Sequence, residues 1–165
     1  MVCLEKWACW TRNGSKLKHT DPRKYLQDKN MNSSKSMEQI LTPDVLQRIF
    51  PPRRADDFFE ALYGDPREGA FDIELGLAGS SGERLDLEFR LRQRPGKCMA
   101  CNLTYGLPRV FSKHPVIDLP GLMQEISSLL PEGMKASDFK LGSTREVNSE
   151  LHVIPLSLYL SRQEA

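Results

Sequence analysis

The sequence predicts an α+β domain in which a three- to four-stranded antiparallel sheet carries helices packed on one face, in the order roughly ααβββαβ. Three observations carry that expectation. Apolar residues recur at helical spacing from Val45 to Leu62, and from Phe71 to Leu91 they alternate with polar ones. A further amphipathic helical stripe follows Asp118, ahead of a last alternating run between Leu151 and Leu160.

The first helix starts at Thr42-Pro43-Asp44. The Thr hydroxyl can accept from an orphan backbone N–H, Pro loses nothing in the first turn, and Asp suits the positive end of the helix dipole. Val45, Leu46, Ile49 and Phe50 form its apolar side, and Pro51-Pro52 stops it. A second helix from about Arg54 to Tyr63 is expected to bury Phe58, Phe59 and Leu62 and to end at Gly64.

The period then changes to two. Phe71, Ile73, Leu75 and Leu77 alternate with Asp72, Glu74, Gly76 and Ala78, and Leu85, Leu87, Phe89 and Leu91 alternate with Asp86, Glu88, Arg90 and Arg92. With Gly79-Ser80-Ser81-Gly82 as the turn, this is a hairpin with one buried face. A third strand is expected after the loop Pro95-Gly96-Lys97, pairing Leu91 with Cys101, Phe89 with Leu103 and Leu87 with Tyr105. A one-residue slip would put the apolar side chains on the charged face. Asp118 caps a third helix whose stripe runs through Leu119, Leu122, Met123, Ile126, Leu129 and Leu130 and ends at Pro131-Glu132-Gly133. A short strand around Phe139 to Leu141 and a clearer one from Leu151 to Leu160 complete the domain. Pro155 places the latter at a sheet edge or at a bulge, because proline cannot donate to a ladder.

The 165 residues suffice for one core without metal or disulfide staples, and 39% hydrophobic with 27% charged residues excludes collagen-like, coiled-coil and wholly disordered classes. No internal repeat is visible, which excludes solenoids and propellers. There is no apolar run of membrane-spanning length and no apolar secretory core near Met1, so a cytoplasmic location and no membrane contact are expected. The net charge of +1 is unevenly spread. Residues 1–36 hold eight basic and three acidic residues and read as a basic, flexible N-terminal tail with Trp7 and Trp10, whereas residues 37–165 read as a single domain with an ordinary soluble surface.

Two constellations could carry function. Arg90, Arg92 and Arg94 should project from one face of the second strand, with Lys97 in the adjoining loop. They form a comb that could meet an acidic protein surface or phosphates, with Tyr105 or Phe111 to stack bases. Asp72, Glu74, Asp86 and Glu88 on the same face offer them cross-strand partners instead, so nucleic acid is the minor reading. Cys98-Met99-Ala100-Cys101 is a C-x-x-C at a turn, a half-site that Cys3 and Cys9 or a second chain would have to complete for zinc. The residues after it favour a strand over the helix start that a redox dithiol needs. As packing residues, Cys101 would be a small core hydrophobe and Cys98 would lie on the opposite face. No G-x-S-x-G is present, and His19, His114 and His152 are scattered.

The sequence therefore points to a non-enzymatic binding or adaptor domain acting through the arginine-bearing face or an open sheet edge. Its expected partner is a protein or a second copy of itself. No cofactor is expected on this reading. A zinc-binding protein built on Cys98 and Cys101 is the alternative, and RNA or single-stranded DNA binding the minor one.

Overall fold

A computed structural model describes residues 37–99 and 104–162. Helix α1 spans Pro43–Ile49 and α2 spans Arg53–Tyr63. The Thr42 hydroxyl accepts from the Val45 N–H at 3.4 Å, and Gly64 closes α2 at φ 80°, a backbone region open to glycine. After a 3₁₀ turn at Pro66–Glu68 come strands β1 (Phe71–Ser81) and β2 (Arg84–Gln93). A second 3₁₀ turn at Thr104–Gly106 leads into α3 (Leu107–Phe111) and then α4 (Leu119–Leu129). Strands β3 (Met134–Leu141), β4 (Arg145–Asn148) and β5 (Leu151–Arg162) close the fold.

The class is α+β with an antiparallel sheet, as expected, but the sheet has five strands and the order is ααββααβββ. Its spatial order is β1-β2-β5-β3, with β4 pairing the same edge of β5 as β3. Among the described residues no strand follows β2 directly. Tyr105 lies in a 3₁₀ turn, and β2 instead pairs β5, with Leu91 opposite His152, Phe89 opposite Ile154 and Leu87 opposite Leu156. The punctuation explains it: Gly106-Leu107-Pro108 starts a helix, with Pro in its first turn. The partner of β2 is the longer alternating run at the end of the sequence, and Ala100 to Leu103 lie outside the described residues.

The hairpin register is Ile73 opposite Leu91 and Leu75 opposite Phe89. The turn is Gly82-Glu83, not Gly79 to Gly82; β1 runs on to Ser81, and an irregularity between Leu77 and Gly79 absorbs the extra residue.

Pro155 stands in a central strand, not at an edge. Its carbonyl accepts from the Gly142 N–H at 2.8 Å, so its ring nitrogen faces the β3/β4 side. There the ladder is interrupted between Leu141 and Arg145, and no donor is missed. A Cβ on Gly142 would come within 3.2 Å of the proline ring, so a glycine is what lets the chain pass it.

All helices cover the apolar face of the sheet. Phe58 of α2 and Phe111 of α3 meet edge-on at 5.4 Å, and Phe111 meets Phe89 of β2 at the same separation. Ile126 of α4, Ile73, Leu85 and Ile154 are all buried in the same core. Leu62 is 42% exposed instead of buried, and its neighbour Tyr63 in the last turn of α2 is exposed too.

Candidate functional site

The arginine comb is formed and internally paired. Arg90 Nε lies 2.8 Å from Glu88, Arg84 2.9 Å from Asp86, and Arg92 3.7 Å from Glu74 on the neighbouring strand. Arg94, just beyond β2, is drawn furthest in. Its guanidinium donates to Asp72 at 2.7 Å, to Asp56 of α2 at 2.6 Å and to the Pro66 carbonyl at 2.9 Å, and it sits over the Phe59 ring. Burial opposes its charge, but the hydrogen bonds to Asp72 and Asp56 prevail and hold it protonated more firmly than usual. Lys97 closes the Pro95-Gly96 turn, its N–H donating to the Arg94 carbonyl. Arg94 is thus a brace between α2, the 3₁₀ turn and β1.

Cys98 is exposed, whereas its neighbour Met99 is buried in the core. Cys3, Cys9 and Cys101, the other residues of the expected zinc set, lie outside the described residues. Of the two aromatic residues that could stack a base, Phe111 is in the core and Tyr105 is exposed.

The buried polar residues Thr104, Thr144 and His152 come together. Thr104 Oγ1 lies 2.7 Å from His152 Nδ1, and the Thr144 hydroxyl donates to the Thr104 carbonyl at 2.7 Å. A hydroxyl beside an imidazole has the composition of a nucleophile and its base. At 2% and 4% exposure, however, Thr104 and His152 are sealed from substrate. The cluster ties the turn before α3 to the end of the sheet and satisfies its own polar groups.

The open feature is an edge. Among the described residues β1 has no partner on its outer side. A groove of about 530 Å³ runs between that edge and α1. Every residue from Asp72 to Leu77 lines it, with Leu41, Leu46 and Phe50 opposite. The Arg94 N–H donates to the Ala70 carbonyl. Because bonded and non-bonded pairs alternate in an antiparallel ladder, the next bonded pairs are Asp72/Arg92 and Glu74/Arg90. The N–H and C=O groups of Ile73 and Leu75 therefore point out of the sheet into the groove.

The groove has two chemically different walls. Toward α1 it is apolar. Its rim is acidic on both sides, with Asp72 and Glu74 on β1 and Glu38 and Asp44 at and before the start of α1, against a single lining cation, Arg90. Glu38 and Asp44 make no ion pair within the described residues. Gly76 shapes this end: a Cβ there would fall 2.7 Å from Arg90 Cζ, so the glycine lets the guanidinium lie across β1 to the groove.

The opposite sheet edge is defended. It is split into β3 and β4, carries Lys135 and Lys140, and has an irregularity in each segment, between Ala136 and Asp138 and between Glu146 and Asn148. These devices discourage pairing with another strand. From Phe71 to Leu77 β1 has none of them. Sequence reasoning expected an open edge but assigned it to the strand containing Pro155. The overlooked signal was that β1, first in a hairpin, gains its second neighbour only if a later strand reaches it, and β5 went to β2. No helix among the described residues is long and apolar enough to cross a membrane. In comparisons with protein-family models, curated proteins and solved structures, the chain matches none.

Proposed function

We propose that this is a non-enzymatic protein-binding domain that captures an extended segment of a partner along the outer edge of β1. The observation that carries the reading is the run from Asp72 to Leu77: an uninterrupted strand edge with a groove along its whole length. A strand added there would bond to the outward backbone groups of Ile73 and Leu75 and so lengthen the sheet. Its side chains would alternate between the two walls. Those pointing toward α1 would meet Leu41, Leu46 and Phe50, and those on the other side would meet Asp72 and Glu74. The segment that fits alternates apolar with basic residues.

The arginine face is the less favoured surface, because Arg84, Arg90, Arg92 and Arg94 all have carboxylate partners that a ligand would have to displace, whereas on the groove's rim only Asp72 and Glu74 are so engaged and Glu38 and Asp44 make no ion pair among the described residues. A titration of the full chain with the synthetic peptide acetyl-Lys-Val-Lys-Val-Lys-Val-amide, followed by amide NMR, tests the reading. The expected result is a set of shifts concentrated on Ile73, Glu74 and Leu75 that weakens with salt, while the Glu-Val counterpart has no effect. Shifts produced by the acidic peptide at Arg84, Arg90 and Arg92 would transfer the function to the arginine face. No response to either peptide would overturn the β1 reading.

A further inference from the structure

We infer that the groove along β1 is a docking site for the protein's own N-terminal segment, residues 1–36, which competes with a partner for it. The inference rests on the edge-binding reading above and names what regulates that site. The first argument is charge. The groove's rim carries Glu38, Asp44, Asp72 and Glu74, while residues 1–36 hold eight basic residues against three acidic ones. The second is connection. The segment joins the domain at Met37, next to Glu38 at the groove itself, so it is delivered to the site by its own attachment. Tethering of this kind gives an effective concentration on the order of millimolar, enough to make even a weak contact count.

The third argument is pattern. A segment entering this groove must alternate apolar and basic residues, and Lys16-Leu17-Lys18 does so, placing Leu17 toward the α1 wall and the two lysines toward Asp72 and Glu74. The intervening chain from His19 to Ser36 can extend to roughly 60 Å, about three times the length of a six-residue strand, so reach is not limiting. A second copy of the chain fits less well. Two β1 edges paired about a two-fold axis would set Asp72 and Glu74 of one copy against those of the other.

The test is hydrogen exchange of individual backbone amides by NMR on the full chain and on its Lys16→Glu/Lys18→Glu variant. The amide of Leu156 inside the ladder serves as an internal control of folding. If the segment docks, the Ile73 and Leu75 amides are protected in the natural chain and exchange at least tenfold faster in the variant, with the Leu156 amide unchanged. The variant then also binds the Lys-Val peptide more tightly, by a similar factor, because its competitor is gone.

Rapid exchange at Ile73 and Leu75 in both proteins would overturn the inference; a response to the Lys-Val peptide under those conditions would leave the edge-binding function standing alone. Protection that persists in the variant and grows with protein concentration would assign the edge to a second copy, and would also overturn it.

Discussion

Substitution of Arg94 by alanine separates a brace from a binding residue. The Arg94 side chain is 17% exposed, and its guanidinium makes three hydrogen bonds, to Asp72, Asp56 and the Pro66 carbonyl, besides lying 5.6 Å from the centre of the Phe59 ring. The two carboxylates are about half exposed, 51% and 55%, which screens each ion pair to about 0.5–1 kcal/mol. The bond to the carbonyl and the ring contact add about 0.5–1 kcal/mol each. These contributions sum to about 2–4 kcal/mol, and loss of the stem's packing places the cost toward the upper end of that range. Arg92, paired only at 3.7 Å with a half-exposed Glu74, should cost less than about 0.5 kcal/mol on the same truncation. Urea unfolding of Arg94→Ala and Arg92→Ala, read by far-UV circular dichroism, gives both values from the shift in midpoint at constant slope. Equal and small losses would refute the brace and return Arg94 to the comb of surface arginines. A double-mutant cycle with Asp56→Ala should recover a coupling of about 0.5–1 kcal/mol.

Other perturbations follow from single contacts. A Cβ on Gly69 would overlap the Phe59 ring, itself 1% exposed and packed on Phe71, so Gly69→Ala should destabilise by about 1–3 kcal/mol through overpacking, measured by the same unfolding assay. His114 packs edge-on against Phe58 at 4.7 Å and its Nδ1 accepts from the Val116 N–H at 3.3 Å, while burial lowers its pKa below the ordinary 6.5. The unfolded chain then binds this proton more readily than the native one. The contribution is complete above pH 6.5 and is lost as pH falls from there through the native pKa. Unfolding free energies between pH 5 and 8 should therefore show a downward step on the acid side that His114→Gln removes; a step of the same size in the variant would acquit His114.

What could be read in the sequence, and what could not, divides along the range of the interactions. Local signals held: the Thr42 cap, the Gly64 stop, the Asp118 cap and the parity of β1 against β2 all depend on residues within a few positions of each other. Strand order failed because it is a competition between distant segments for one edge. The residues after Pro95-Gly96 had proximity to β2, but the last alternating run offered Leu158, Leu156 and Ile154 opposite Leu85, Leu87 and Phe89. Pro155 misled for the same reason. Its missing donor excludes a continuous neighbour on one side, and the gap between β3 and β4 meets that condition without an edge. The arginines were correctly placed on a face, yet Arg94's partners in α2 and the 3₁₀ turn are tertiary. The groove itself has no sequence motif. It arises where α1 stands off from β1, and only its acidic residues are legible beforehand.

The contrast between the two sheet edges makes a last prediction. An unguarded β1 edge with Ile73 and Leu75 offering backbone groups outward is an invitation to pair with other copies, and the rim acids are what oppose it. Their repulsion across a two-fold pairing acts between exposed charges, so it is strong in dilute buffer and falls as the Debye length shrinks from about 10 Å at 0.1 M salt to about 3 Å at 1 M. Docking of the basic N-terminal segment weakens over the same range. Salt therefore removes both protections together, and sedimentation velocity should show self-association rising between 0.1 and 1 M sodium chloride. Glu74→Lys bears on this in a directed way: it reverses the charge at the centre of the edge, so it should repel the basic segment and leave the edge open at low salt. Self-association that is insensitive to salt would place the contact somewhere other than β1.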